Sequence, residues 1–344
     1  MEKTSTPNDP SSLLRYRDSI YAADLLVCAI VYLNFFTFLK DGPWAFDEVC
    51  EKLKIEPRPA DVLLSLLLSM GLIEMHQNRY RLTDLSMKYL VNDRPESLVP
   101  YYGSMKDRPQ CVEFHSVLKT GKPAGWSSKK GGSDWIESMR NRQFADSFTS
   151  AMDSRGIFLA EKLAEKLDLD RYVSLLDIAG GSGIYACSIA RVHGNIKATV
   201  FEIPPVDNAA RESIENKGMS SRVNVVSGDM FKELPEGHDV HLFANVLHDW
   251  DYDSVKKLAA NSFEILASNG CIAVFDAHLN DNKDGPITVA EYSCLLMHST
   301  EGKCYSKKEI CEVLQSVGFI QMEVIEIAAD RSVIIGKKNV PGKV

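Results

Sequence analysis

The stretch Leu175–Ala190 reads LLDIAGGSGIYACSIA. An apolar run ends on the acid Asp177. Three glycines then fall within four positions, at Gly180, Gly181 and Gly183, and a helix-like pattern begins. Few folds accept this order. A strand ends at its carboxyl edge, glycines let the chain bend tightly, and a ligand approaches bare backbone. The segment predicts a nucleotide-type cofactor held at the end of a buried strand.

The surrounding sequence agrees with such a sheet. From Tyr172 on, β-rich runs alternate with helical stretches: VSLLDIA, KATVFEI, RVNVVSG, DVHLFANVL and GCIAVFDA. That alternation predicts an α/β, Rossmann-like fold with a mostly parallel sheet and helices on both faces. FIQMEVIEIAADRSVIIGKK holds two alternating runs around AADR, which predicts an antiparallel pair at a sheet edge. Ser306–Glu309 has the S-x-x-E form of a capping box and opens a helix.

The first half has a different texture, and 344 residues accommodate two domains. Leu25–Leu39 (LLVCAIVYLNFFTFL) is an apolar run too short to span a bilayer, which takes about 20 residues. It is read as one helix buried on nearly all sides. Short helices over Trp44–Leu53 and Pro59–Met70 follow, then a hairpin with MHQNRY at its turn. Helices followed by a small β-wing resemble a winged helix. Its would-be recognition helix, ADVLLSLLLSM, has no basic residue, and the net charge is −8. Both features argue for dimerisation rather than DNA reading. The sequence is therefore divided into a tail (1–13), a winged-helix dimerisation domain (14–100), connecting helices and a Gly/Ser-rich loop at Gly121–Trp135 (101–160), a catalytic domain (161–338) and a second tail (339–344). FADSFTSAMDSRGIFLAEKLAEKL is read as one or two helices. Eight cysteines without a CxxC pair suggest reduced core thiols and no zinc site. The polar start MEKTSTPNDPSS, with no apolar run following a basic start, is not expected to act as a signal peptide. A cytoplasmic chain with no membrane or nucleic-acid partner is expected.

Two cofactors suit the glycine turn. Gly181-x-Gly183-x-x-Ala186, with Glu202 19 residues after Gly183, satisfies a loosened dinucleotide pattern. Three features favour another answer. Asp177 precedes the glycines, where an acid suits a ligand carrying an ammonium or sulfonium. The segment comes after half the chain. Ser227–Phe231 (SGDMF) offers a carboxylate for an exocyclic amino group and Met230 for a ring face. Together DIAGGSG, FEIPPV, GDMF and NVLHDW, in this order, resemble the S-adenosylmethionine-dependent O-methyltransferases of the plant caffeate, hydroxyindole and bacterial polyketide-tailoring type. The resemblance runs from about residue 14 to 337. It implies a class I methyltransferase sheet, a homodimer through the N-terminal domain and S-adenosyl-L-methionine as donor. It assigns the methionine part to Asp177, Ala179, Gly180, Gly181 and Gly183, the ribose to Glu202, and the adenine to Asp229 and Met230. It also implies that Asn245 lies beside the cofactor. Ala179 replaces a glycine of the family, so its backbone is expected to avoid glycine-only angles.

A phenolic acceptor needs a base that works near neutrality, and histidine suits this. Of eight histidines, His248 ends the run HLFANVL before Asp249 and Trp250, at a strand's carboxyl edge. The resemblance makes it the general base, oriented by Asp276. A second supporting glutamate of the family is replaced by Cys304, and Glu301 is the nearest substitute. Phe148, Met152, Met297 and Ser299 match positions that line the acceptor pocket. The expected activity is methylation of a hydroxyl on a small aromatic molecule, without metal. The alternatives are nitrogen or carbon as acceptor, a nicotinamide oxidoreductase, or a ligand-sensing regulator that catalyses nothing.

Overall fold

The computed structural model describes residues 9–124 and 142–339. Most of the Gly121–Trp135 loop, and all or part of each expected tail, lie outside the described residues. Two compact units emerge. One combines residues 15–124 with 279–306; the other combines 9–14, 142–278 and 307–339. Residues 279–306 fall inside the stretch expected for the catalytic domain, yet they pack with the N-terminal helices.

The N-terminal helices are α1 (Ser11–Asp18), α2 (Ala22–Val31), α3 (Phe35–Leu39), α4 (Phe46–Leu53) and α5 (Pro57–Ser69). The single helix expected over Leu25–Leu39 is in fact two. Asn34 breaks it with φ +48°, a left-handed conformation that asparagine tolerates better than most residues. The burial expectation holds: Leu25, Val27, Cys28, Phe35, Phe36 and Leu39 are all buried. In α5, Val62, Leu63, Leu64, Leu66 and Leu67 are buried. At about 1.5–3 kcal/mol for each large apolar side chain, this helix is fixed by packing. Its one basic residue, Arg58, gives its guanidinium to the carbonyls of Met297, Thr300, Gly302 and Gly121. Strands β1 (Ile73–His76) and β2 (Arg79–Leu82) form the hairpin. Gln77 and Asn78 at its turn both have positive φ, as a two-residue hairpin of the primed type requires. Helices α6 (Asp84–Tyr89), α7 (Val99–Gly103) and α8 (Pro109–Thr120) follow.

The second unit begins with α9 (Arg142–Lys166), one continuous helix. Then come β3 (Ser174–Ile178), α10 (Ile184–Val192), β4 (Lys197–Glu202), α11 (Val206–Asn216), β5 (Val223–Ser227), β6 (Val240–Ala244), α12 (Tyr252–Ile265) and β7 (Cys271–Asp276). Helix α13 (Ile287–Ser299) belongs to the first unit; α14 (Lys307–Ser316), β8 (Ile320–Glu326) and β9 (Ser332–Lys337) complete the second. The sheet order is β5-β4-β3-β6-β7-β9-β8. β3 to β7 run parallel, and β9 is antiparallel to both neighbours. Strands β3, β4, β6, β7 and β9 are mostly buried, whereas the edge strand β8 is mostly exposed. Leu175, Val200, Val240, Leu242, Ala273 and Phe275 form one core with Ala186, Ile189 and Ala190 of α10 and Leu159, Ala160 and Leu163 of α9. The strand order reverses between β3 and β6, and the carboxyl ends of β3 to β7 line one edge. Open α/β sheets bind ligands at such a place. Among the described residues, no helix is long and apolar enough to cross a membrane.

Candidate active site

The glycine turn joins β3 to α10. Gly181 and Gly183 take φ of +56° and +78°. At Gly180 the demand is space: an added Cβ would lie 2.6 Å from the Asp177 carboxylate carbon. Ala179 corrects the sequence reading. Its φ is +54°, inside the left-handed region it was expected to avoid. That region is open to alanine at a cost of roughly 1–2 kcal/mol.

Asp177 is fully buried. Its Oδ2 accepts the Ala186 N–H at 3.2 Å, whereas Oδ1 has no hydrogen-bond partner among the described residues. Glu202 accepts the Gly181 N–H at 2.9 Å and the Ile203 N–H at 2.8 Å, so the acid at the end of β4 grips the turn itself. Burial pushes both carboxyls up to about 7, against the pull of those amides. Asn245, with φ +56° at the end of β6, donates through Nδ2 to the Tyr185 hydroxyl at 2.9 Å. Its buried Oδ1 also lacks a partner among the described residues. Leaving such acceptors unsatisfied costs about 1–3 kcal/mol each. A ligand bringing an ammonium group and hydroxyl donors would satisfy them. The amino-acid and ribose parts of S-adenosylmethionine have this chemistry, so the residues fit that group.

Asp229 and Met230 follow β5. Gly228 before them is obligatory, because a Cβ there would stand 2.4 Å from the Phe201 ring. Asp229 accepts the Phe231 N–H at 3.0 Å and meets Lys232 at 3.4 Å; Met230 is half-buried. Phe231 packs edge-to-face on Trp250 with ring centroids 4.6 Å apart. This contact joins the GDMF segment to the HDW segment.

His248 lies on a 3-10 turn, Leu247–Asp249, just past β6. Its Nδ1 is 2.5 Å from Asp276 Oδ1 at the end of β7, and both side chains are buried. The Ala277 N–H donates to the same oxygen at 2.8 Å. Nε2 lies 3.6 Å from Asp249 Oδ1. Burial disfavours a charged imidazole, but the Asp276 and Asp249 carboxylates outweigh it and raise the pKa of His248 above the ordinary value; Arg155 pulls the other way. Burial would raise Asp276, yet the imidazole holds it below the usual carboxylate range. The arrangement fixes one ring nitrogen, Nδ1, on Asp276.

The other expected residues are divided between the two units. Met152 lies half-buried on α9, and the side chain of Phe148 is outside the described residues. Met297 (buried) and Ser299 (half-buried) are on α13, in the unit that does not contain His248. Glu301 and Cys304 belong to that same unit, and Cys304 donates its N–H to Ser293 Oγ at 3.0 Å. Sequence reasoning missed Tyr185, Asp249 and Arg155. Asp249 had a signal, its place next to the histidine. Tyr185 and Arg155 had none, because their partners are distant in sequence. Among the described residues, no three His, Cys, Asp or Glu side chains group as metal ligands do.

Comparison with known proteins finds methyltransferases along most of the chain. A 3-hydroxy-5-methyl-1-naphthoate 3-O-methyltransferase of Streptomyces sahachiroi is 27% identical over 323 residues, covering 93% of this chain and 92% of that protein. An L-tyrosine C(3)-methyltransferase of Streptomyces lavendulae is also 27% identical, covering 83% of this chain and 81% of its own. The crystal structure of an O-methyltransferase family 2 protein from Planctomyces limnophilus, in complex with apigenin, is 26% identical and superposes with a TM-score of 0.87 over 97% of each chain. The profile described as an O-methyltransferase dimerisation domain matches residues 14–92. Because the profile of the O-methyltransferase domain itself matches residues 113–320, this chain belongs to the O-methyltransferase family.

Proposed function

We propose that the protein moves a methyl group from S-adenosylmethionine to a hydroxyl of a small aromatic molecule, with His248 as general base. The observation that carries the reading is the buried His248–Asp276 pair, 2.5 Å apart at the carboxyl edge of the sheet. The donor supplies an electrophilic methyl on a positively charged sulfur. Asp177 and Asn245 offer acceptors for its amino-acid end, Glu202 for its ribose, and Asp229 with Met230 for its adenine. His248 Nε2 takes the acceptor's hydroxyl proton, while Asp276 holds Nδ1–H and stabilises the imidazolium that forms. Phe148, Met152, Met297 and Ser299 are assigned to the acceptor, since apolar and aromatic lining suits a flat ring. Relatives and fold neighbours named for naphthoate and apigenin support an aromatic acceptor. The dimerisation-domain match supports a homodimer through residues 14–92.

A second reading keeps the donor and changes the acceptor atom to carbon, and the tyrosine C-methyltransferase relative favours it. One experiment addresses both: a panel of phenols with methyl-labelled donor, for wild type and His248→Ala, with the methylated atom located by NMR. Loss of about 10²–10⁴-fold in rate is expected, with S-adenosylhomocysteine affinity unchanged. Full turnover in the variant removes His248 from the role, and label on carbon selects the second reading.

A further inference from the structure

Helix α9 touches the donor turn on both sides of Gly183. On one side the Ser182 hydroxyl donates to Asp153 Oδ1. On the other, a Cβ at Gly156 would stand 2.9 Å from Cγ2 of Ile184, the first residue of α10, so the two helices are in close contact there. Asp153 and Gly156 are three residues apart and share one helix face. The second oxygen of Asp153 is 3.3 Å from Lys217 Nζ at the end of α11, and Lys217 also donates to Ser213 Oγ. Ser182 is buried, and the Asp153 and Lys217 side chains are each about three-quarters buried. One carboxylate thus ties three elements: the helix before the sheet, the glycine turn and the helix after β4. The same turn of α9 carries Arg155, whose charge opposes protonation of His248.

We propose that Asp153 is a positioning residue for the methyl donor: by accepting from Ser182 it holds the glycine turn in its binding conformation and registers that turn with the helix that carries Arg155. This rests on the donor assignment proposed above. Asp153 has no role in proton transfer. Its work is done before the donor arrives, by restricting a turn that would otherwise be ordered at the cost of binding energy. Removing the carboxylate should therefore weaken the donor complex without changing the chemistry at His248.

The test is S-adenosylhomocysteine affinity by calorimetry at a temperature where each variant is folded, with melting of the ligand-free protein measured alongside. Asp153→Ala is expected to weaken binding about tenfold, in keeping with the loss of one charge-assisted hydrogen bond. Ser182→Ala should weaken it to a similar degree, and the double variant no further, because both remove one interaction. Asp153→Asn keeps an oxygen for Ser182 and should retain most of the affinity, while Lys217→Met should have a small effect. With any phenol the wild type accepts, KM for the donor should rise and the pH profile of kcat should stay. Wild-type affinity in both Asp153→Ala and Ser182→Ala overturns the proposal. So do losses that add independently in the double variant, or a large loss confined to Lys217→Met. Absence of binding by the wild type would instead sink the donor assignment, so the two failures are distinct.

Discussion

Asp276→Asn probes the pair on which the chemistry depends. The substitution conserves shape and can keep a hydrogen bond to His248 Nδ1, but it removes a charge 2.5 Å from the ring. Both groups are buried, so solvent screens the loss little. Removing one partner of a buried pair costs roughly 3–5 kcal/mol, whereas exchanging a charged hydrogen bond (about 1.5–3) for a neutral one (about 0.5–1.5) costs about 1–1.5. At 1.36 kcal/mol per decade, the milder figure gives roughly a tenfold fall in kcat. The imidazole should also titrate lower, because burial is then opposed only by Asp249, 3.6 Å from Nε2. Nitrogen-15 NMR of the histidine rings reads this shift without any acceptor, and labelled-methyl transfer from pH 6 to 9 reads the rate. Stability should follow the same pair. His248 is raised in the folded protein, so its share is present below its unfolded value near ~6.5 and fades as pH climbs through the folded one. Asp276 is lowered, so its share is present above ~3.9 and fades as pH falls through its folded value. The pair therefore contributes most between about pH 4 and 6.5, and the variant should lose that portion of the stability curve. A variant with wild-type kcat, pH profile and His248 titration would refute the assigned pairing.

Ala179→Gly should raise the melting temperature, because relief of the left-handed alanine outweighs glycine's looser unfolded chain by up to about 1 kcal/mol; an unchanged or lower value contradicts the strain. Asp177 and Glu202 have folded pKa values raised to about 7 by burial. Their contribution to the ligand-free protein is thus complete below about 4 and is lost as pH rises through 7, while S-adenosylhomocysteine affinity should grow over the same rise as the carboxylates ionise. Calorimetry and thermal melts at pH 5, 6, 7 and 8 check both directions, and flat affinity would count against the two acids as ligands. Arg58→Ala should destabilise by about 1.5–3 kcal/mol in denaturant titrations, since it strips a charged donor from four carbonyls. It should leave donor affinity alone, because the donor residues lie in the other unit.

What the sequence disclosed follows from the range of the forces involved. Each parallel strand was visible as a short β-rich run because burial on both faces leaves a continuous apolar signal. The hairpin at Gln77 and Asn78 was visible because turn chemistry is local. The break at Asn34 was hidden, since an apolar stretch looks alike whether it forms one buried helix or two, and a lone asparagine carries little weight against it. Ala179 was misjudged for a related reason. Residue type gives a preference among backbone angles, but the fold decides whether a cost of about 1–2 kcal/mol is tolerated. Interactions across long separations left no trace at all. Asp153 and Ser182 are 29 residues apart, Asn245 and Tyr185 are 60 apart, and Arg58 reaches carbonyls more than 230 residues away. His248 and Asp276 occupy the middle ground. They are 28 residues apart and without local pattern, yet Asp276 ends β7 and His248 sits on the turn just past the end of β6, and parallel pairing of Ala244 with Phe275 brings those strand ends side by side. A parallel sheet thereby turns a local property, where each strand stops, into a long-range one, which side chains meet. Residues at strand ends are for that reason the part of such a site that a sequence can disclose, and those on the covering helices, Asp153 and Arg155 among them, become visible only once the helices are packed.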